Sequence, residues 1–595
     1  MIKNRKVPIK ETLIGFSFTG GAIFLMLLVF AYPLINVVIL AFERERKFVG
    51  LANYQSLLVD SVFHSSLKNN FKLLFLVPVI LIISLVLAVI IYERPKGWKF
   101  HRFAILIPFI LPIPVSAIAI GAIVAYRGGL NSFLVKIGLE FLALDWLGQG
   151  NSAFFIIAFA LIWREIGFCS ILIFSRLSNI DNEIIEACEL DGGGWWRKLK
   201  SAILPQISGV LLTITVLEII TVFFYTFEWI YVLTRGGPAG STMVVDLYIF
   251  QQAVQFRSIG IAAAASSLVL IILLSLLLVF RGGHFLARRA PQKIIRYPEM
   301  YKHKGKIKPL KKKKNSRPHL LVVKKYSVTG IRQSFIWFFT LIFCLPLYFI
   351  CVNAFKTKEQ YAESPWSLPT NPTYNSFREA FSRGEIPIWF RNSLVVALGS
   401  VLVITFLAVL SSYYISNSSR RFSSIFRKIF IPLIAIPPIV MIIPLFVLFS
   451  KLGLINSFTG AILVFSGLLL PFSCYLLLGF FDSFPREILE AASVDGSNRL
   501  RTLLSVVLPN ARPIISTQLV INLLYVWNSL LIILIFLQGD DRRTLAAGIS
   551  VFQGRFFRDT PLVMAASLLV ILPMLMTYLF MQKSFRKGLL AGAVK

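Results

Sequence analysis

Twelve apolar runs, each long enough to cross a bilayer, constrain this chain more than anything else in it. They lie near 12–41, 70–92, 103–126, 152–175, 206–233 and 259–280, then near 333–354, 392–416, 429–450, 457–481, 511–537 and 561–581. A helical crossing takes roughly 20 residues. Lipid offers the backbone no hydrogen-bond partner, and barrel strands are far shorter than these runs, so the spans must be helices. Composition agrees: 56% of the residues are apolar, 15% are charged, and the mean hydropathy of +0.75 excludes an ordinary soluble globular protein. The prolines inside the runs, Pro108, Pro112 and Pro114, then Pro432, Pro437 and Pro438, predict kinks against neighbouring helices rather than breaks. The first run is too long for a signal peptide and lacks a small-residue cleavage site, so it reads as a retained helix.

The twelve runs fall into two sets of six, and a second feature supports that division. The string Glu183-Ile184-x-Glu186-Ala187-x-x-x-Asp191-Gly192 recurs as Glu487-Ile488-x-Glu490-Ala491-x-x-x-Asp495-Gly496, 304 positions later. The agreement continues through Leu199, Ser201 and Leu204-Pro205 in the first copy, and Leu503, Ser505 and Leu508-Pro509 in the second. Internal self-similarity on this scale implies two similar structural units. The expected organisation is a first half at 1–281 with its loop at 183–205, a basic linker at 282–331, and a second half at 332–595 with its loop at 487–509.

Lysine and arginine fix the expected orientation. The inter-half segment carries Arg288, Arg289, Lys302, Lys304, Lys306, Lys308 and the run Lys311 to Lys314 against one acid, Glu299. The positive-inside rule puts it in the cytoplasm. Six spans per half then bring both termini to that side, with the loops 93–102 and 417–428 and both repeated loops. The string Glu43-Arg44-Glu45-Arg46-Lys47 falls outside, its charges nearly cancelling. The net charge of +33 does not indicate a nucleic-acid partner, because the excess sits in the linker and short loops rather than on a basic surface interleaved with aromatics. It suits a tether lying on an anionic leaflet.

The repeated loop reads as a short helix, an Asp-Gly turn, and a second short helix at Trp195–Ala202 before Pro205 opens the next span. Its carboxylates have no His, Ser or Cys at useful spacing, which argues against catalysis. An amphipathic connector at the membrane surface is the simpler alternative, but it does not account for duplication at matched spacing. Two loops facing one side are what a membrane domain needs to grip two copies of a soluble motor. No G-x-x-x-x-G-K-[ST] phosphate loop occurs, so any ATP hydrolysis belongs to a partner. The five histidines are scattered, and Cys169, Cys188, Cys344, Cys351 and Cys474 show no metal or disulfide spacing, so no metal site and no cofactor are expected.

These loops resemble the "EAA" loop of the permease subunits of ABC-type, binding-protein-dependent importers. The segment Tyr231 to Thr242, with Gly236-Gly237-Pro238, resembles the first permease partner of carbohydrate importers of the maltose and glycerol-phosphate type. Asn392-Ser393-Leu394, Trp527-Asn528 and the terminal Leu590 to Lys595 resemble the second partner. The resemblance covers both halves and omits the linker, as in a fusion of two subunits. It implies an all-α integral membrane fold, about twelve transmembrane helices in two six-helix halves, in a bacterial or archaeal plasma membrane. It also implies two cytoplasmic ATPase subunits, which would hold the ATP and magnesium, an external solute-binding protein and a sugar substrate. Glu186, Ala187, Asp191 and Gly192, with Glu490, Ala491, Asp495 and Gly496, would form the ATPase contacts. Leu199 and Leu503 stand where an aromatic is common, and Cys188 where Ala is usual.

By the same resemblance Phe223, Tyr225, Glu228, Trp527 and Asn528 fall on the stretch that lines the sugar path. Charged residues inside spans usually face a protein interior or cavity, which adds Arg164 and Glu165 beside Trp163. Aromatic faces with a few polar groups would suit a sugar. Interhelical packing is the competing account of any one aromatic, and Arg164 with Glu165 could equally be a structural or gating pair. Ser529 stands where the second partner often has Glu. Two other classes remain to be distinguished: an ion-coupled secondary transporter, which commonly has two halves but needs no docking loops, and a membrane enzyme or scaffold, which needs a catalytic cluster. Fused double permeases for ferric iron exist, but the Gly-Gly-Pro segment and the Ala-Gly-Ala-Val-Lys end favour carbohydrate.

Overall fold

The computed structural model describes residues 9–191, 194–289, 318–383, 385–555 and 559–592. Their regular structure is helical, apart from a small hairpin pairing Glu43–Arg44 with Lys47–Phe48. Eleven helices are long and apolar enough to span a membrane, and a twelfth span is formed if the bent pair 421–435 and 438–451 is one crossing. Counting the bent pair as one crossing, the described residues give six and six: Gly15–Ala41, Ser61–Tyr92, Ile113–Lys136, Gly150–Leu177, Trp195–Leu233 and Ile259–Leu276, then Gly330–Asn353, Ile386–Ser416, the bent pair, Phe458–Asp482, Arg499–Asn528 and Thr560–Thr577. They are numbered below as the first to the twelfth span.

Two expectations need correction. The prolines of the third and ninth spans break helices rather than kink them. Helix Trp98–Ile110 stops before Pro112 and Ile113–Val124 resumes after it, and in the ninth span the two helices diverge by 96°. The residue before a proline is pushed out of the helical region, and both Leu111 (ψ 138°) and Ile436 (ψ 120°) are extended. Isolated Pro108 and Pro432 stay inside their helices. The apolar third crossing consequently lies at 113–136 rather than 103–126. The linker is also shorter than expected at both ends: the sixth-span helix runs to Arg289 and the seventh starts at Pro318. The rest of it, 290–317, lies outside the described residues, as do the terminal 593–595 and Gly192.

The repeat reappears in three dimensions at the same offset. Helices Asn182–Leu190, Trp195–Lys198 and Leu204–Phe224 match Arg486–Val494, Arg499–Thr502 and Leu508–Asn528, each displaced by 304 positions at both ends.

The halves interlock. The first span bridges the halves: its later part packs on the sixth span of its own half, and its earlier part reaches the eighth and tenth, where Phe18 stacks on Tyr414 at 6.0 Å and Gly467 accepts Val29 at a distance only a glycine tolerates. In return the seventh span packs on the first half, on helix Trp98–Ile110 and the third span after it, with Thr340 hydrogen-bonded to His101 Nδ1 at 2.8 Å and the Trp163 indole of the fourth span donating to the Ile342 carbonyl at 3.1 Å. Small residues at such crossings bring backbones close, which is how helices associate where lipid removes the hydrophobic drive.

Candidate functional site

The second repeated loop shows how its sequence builds a rigid projection. Helix Arg486–Val494 ends at Asp495, and Gly496 takes a left-handed φ of +75°. The Gly496 N–H reaches Ser493 O at 3.1 Å and the Ser497 N–H reaches Ala492 O at 3.0 Å, the paired bonds of a Schellman cap. Asn498 then caps the next helix, accepting from the Arg501 N–H at 2.8 Å. Leu489 and Leu503 root the loop in the apolar core, and in the first loop Ile185 and Leu199 do the same. Glu186, Ala187 and Asp191, like Glu490, Ala491 and Asp495, are exposed.

Each loop also offers bare apolar tips that sequence reasoning missed. Leu190 is 88% exposed and Val494, its repeat equivalent, 87%. Trp196 and its equivalent Leu500 are exposed too. Large apolar side chains exposed together beside acids mark an interaction surface. The signal was available as apolar residues in matched register just inside and outside the Asp-Gly turn, masked by an apolar composition everywhere else.

Both loops are tied to the interlocked spans. The Trp195 indole donates to Glu93 Oε1 at 3.1 Å, and Arg332 of the seventh span pairs with Glu93 Oε2 at 2.5 Å. On the other side the Arg499 guanidinium lies 5.6 Å from the Tyr414 ring, the ring on which Phe18 of the first span stacks.

The second group of expected residues meets at the centre of the bundle. The fifth span breaks at Tyr225–Thr226 and the eleventh at Ser529–Leu530. The Glu228 carboxylate crosses between the halves and accepts from the Leu530 N–H at 2.7 Å. Arg164 donates to the carbonyls of Pro108 and Leu111 at the third-span break, contacts Glu165 at 3.5 Å, and lies within electrostatic reach of Glu228. Tyr525 lies within electrostatic reach of the same carboxylate and of Tyr225. Trp527 and Asn528 are buried, and the Trp527 indole N–H and the Asn528 amide oxygen have no hydrogen-bond partner among the described residues. The structure does not bring Phe223 to this group: its ring packs edge-on against Phe71 at 5.2 Å and its carbonyl accepts from Asn70. Trp163 is likewise engaged in interhelical packing.

Further contacts were not legible in sequence. Asp246 accepts from the Thr226 N–H at 3.1 Å and so holds the fifth-span break. Cys169 of the fourth span donates to Glu218 of the fifth at 3.0 Å, and the repeat equivalents Ser473 and Asn522 are joined at 2.8 Å, so Cys169 is more than a packing residue. Asn69 and Asn392, at the start of their halves' second spans, each donate to two carbonyls of the segment that follows the fifth or eleventh span: Ser241 and Met243 in one case, Asp541 and Arg543 in the other.

A bundle of interlocked spans with breaks at its centre and paired loops on one face defines a multi-pass membrane transport protein. Comparison with known proteins specifies it. Residues 391–588 match the model of the "Binding-protein-dependent transport system inner membrane component" family. The chain is 32% identical over 272 residues to ORF2 of Caldicellulosiruptor, a protein named as an ABC transporter permease, covering 98% of it and 44% of this chain. It is 31% identical over 252 residues to the trehalose/maltose transport system permease protein MalF of Thermococcus litoralis, with 85% of that protein and 41% of this chain covered. It is 29% identical over 252 residues to the melibiose/raffinose/stachyose import permease protein MelC of Bacillus subtilis, with 91% and 42% covered. The chain belongs to the family of inner-membrane permease components of binding-protein-dependent transport systems. Each of these relatives, nearly whole, occupies less than half of it.

Proposed function

We propose that the chain fuses the two permease subunits of a carbohydrate importer, and that it couples to two ATPase subunits through the loops at 183–205 and 487–509. One observation carries this reading: the duplicated loops occupy equivalent structural positions, each presenting acids and an apolar tip, the first linked to the seventh span through Glu93 and Arg332 and the second linked to the first span through Tyr414. Glu186, Ala187, Asp191, Gly192, Glu490, Ala491, Asp495 and Gly496 would make the contacts, with Leu190, Val494, Trp196 and Leu500 buried by the partner. The sugar assignment is supported by the names of MalF and MelC and by the carbohydrate-type segments at 231–242 and 392–394.

The mechanism follows from the interlock. When ATP-driven closure of the motor draws the loops together, the first loop pulls on the seventh span and the second, through Tyr414, on the first span, so the bundle rocks as a unit. The halves part where Glu228 meets Leu530, opening a path past Tyr225, Arg164, Glu165, Trp527 and Asn528. The unpartnered polar atoms of Trp527 and Asn528 would then be satisfied by substrate hydroxyls, since a buried polar atom left unpaired is costly. Phe223 and Trp163 would hold the walls. An external binding protein delivers the sugar on the face opposite the loops, and both termini lie on the loop side.

The test is purification of the tagged chain from its native membrane, with identification of what accompanies it and an ATPase assay on the eluate. Recovery of a P-loop ATPase with sugar-dependent activity supports the reading. Recovery of the chain alone, moving solute on an ion gradient in liposomes, refutes it.

A further inference from the structure

On the face that carries the second docking loop, the ends of the eighth, ninth and tenth spans line an open cavity of about 430 Å³. Its charge is lopsided. Arg427 grips both oxygens of Asp482 at 2.6 and 2.7 Å, and Ser416 adds a third bond to that carboxylate at 2.9 Å. Asp482 is thus neutralised inside the cavity wall. Lys428 and Arg486, which line the same space, have no carboxylate partner among the described residues. Two free cations and four serines lining one cavity are the chemistry of an oxyanion site, and arginine with lysine is the usual pair for phosphate.

The cavity also has a direction. Ser424, Arg427, Lys428 and Ile431 recur at helical spacing on one face of helix Arg420–Ala435, so the lining turns from polar to apolar within about 10 Å along the axis. Ile431 is 56% exposed, and Ile425 and Ile429 on the same helix are exposed as well. A free inorganic anion has no use for that apolar end, whereas an amphiphile does. The repeat equivalents of Asp482 and Arg486 are Ser178 and Asn182, so the first half has no matching set.

We propose that this cavity binds the headgroup of one anionic phospholipid per chain, with Lys428 and Arg486 on the phosphate oxygens and an acyl chain along Ile431. Because Arg486 is the first residue of the second docking helix, the lipid pins the root of that loop to the bilayer. The first loop, lacking the site, is held through Trp195, Glu93 and Arg332 instead.

The test is native mass spectrometry of the full chain, titrated in detergent with phosphatidylglycerol or phosphatidylcholine. The wild type is expected to retain one tightly held phosphatidylglycerol and no equivalent phosphatidylcholine. Each basic side chain near an anionic headgroup contributes about fivefold in affinity, so the double variant Lys428→Gln, Arg486→Gln should bind that lipid about 30-fold more weakly. The single variants fall between, and Lys428→Arg with Arg486→Lys restores binding. Both residues are exposed, so the fold survives the changes. Equal retention by wild type and double variant overturns the proposal, as does equal retention of the two lipids. Displacement of the lipid by inorganic phosphate alone overturns it in favour of a free-anion site, and loss of binding on adding the ATPase partner overturns it in favour of a protein contact.

Discussion

Replacing Glu228 with alanine isolates the bond that joins the two halves at the centre of the bundle. The Leu530 N–H sits at a helix break, where the Glu228 carboxylate is its hydrogen-bond acceptor among the described residues, and Leu530 is fully buried. Removing the carboxylate strands a buried donor, at a cost of about 1–3 kcal/mol. Where the halves separate, the same N–H reaches water, so the penalty falls on the joined arrangement alone. At about 1.4 kcal/mol per factor of ten, the joined arrangement loses roughly 5- to 150-fold in relative population. In the assembled importer, in nanodiscs and without binding protein, Glu228→Ala should therefore raise ATP hydrolysis by about an order of magnitude. Glu228→Gln keeps an oxygen that accepts from Leu530 and should recover most of the closure. The decisive comparison is between the two variants. If alanine leaves hydrolysis at the wild-type level, or if glutamine behaves as alanine, the Glu228 to Leu530 bond does not hold the halves together.

Other perturbations reach other parts of the argument. Gly496→Val meets no neighbour but forces a β-branched residue to a φ of +75°, costing about 1–2 kcal/mol locally; membrane insertion and melting temperature should hold while ATPase stimulation falls several-fold. Leu190→Asp and Val494→Asp place charge on the apolar tips, and each should abolish co-purification of the ATPase while leaving the chain monodisperse. Asn392→Ala strips donors from two carbonyls, and a fall in melting temperature equivalent to about 1–3 kcal/mol is expected; an unchanged melting curve would show that the segment is held by other contacts. Lys356 is fully buried just beyond the seventh span, donating to the Ser364 carbonyl at 2.7 Å, and burial pushes its ammonium down to about 8. Between that value and the ordinary lysine range the unfolded chain binds more protons, so stability should be flat below pH 8 and rise with pH above it. Lys356→Met should flatten the rise, which thermal melts across that range would register.

The legible part of this protein was whatever one segment can carry by itself. A run of apolar residues declares a span wherever it sits, and Glu186-Ala187 or Glu490-Ala491 declares a loop helix because the residues that shape it are adjacent in sequence. The proline breaks were misread because a single proline in a helix and a proline pair at its end look alike until the flanking residue is seen to be extended. The central group was only half visible. Charged Arg164, Glu165 and Glu228 stand out in apolar runs, but nothing in the chain says that Glu228 meets a backbone N–H about 300 residues away, or that Phe223 turns to Phe71. Asp246 and Cys169 went unread because their roles depend on partners in other helices.

By itself, then, the sequence determined the helical class, the positions of most spans and the duplication of the loop helices, because these follow from local composition and from a repeat that any comparison of the halves reveals. Only the tertiary structure decided that the first and seventh spans bridge the halves, that the docking loops are linked to those bridging spans, and that the bundle is joined at Glu228. The physical reason is that lipid satisfies an apolar side chain as well as protein does. Hydrophobicity drives each helix into the membrane without choosing its neighbour, and the choice falls to close contacts such as Gly467 on Val29 and to hydrogen bonds between distant residues.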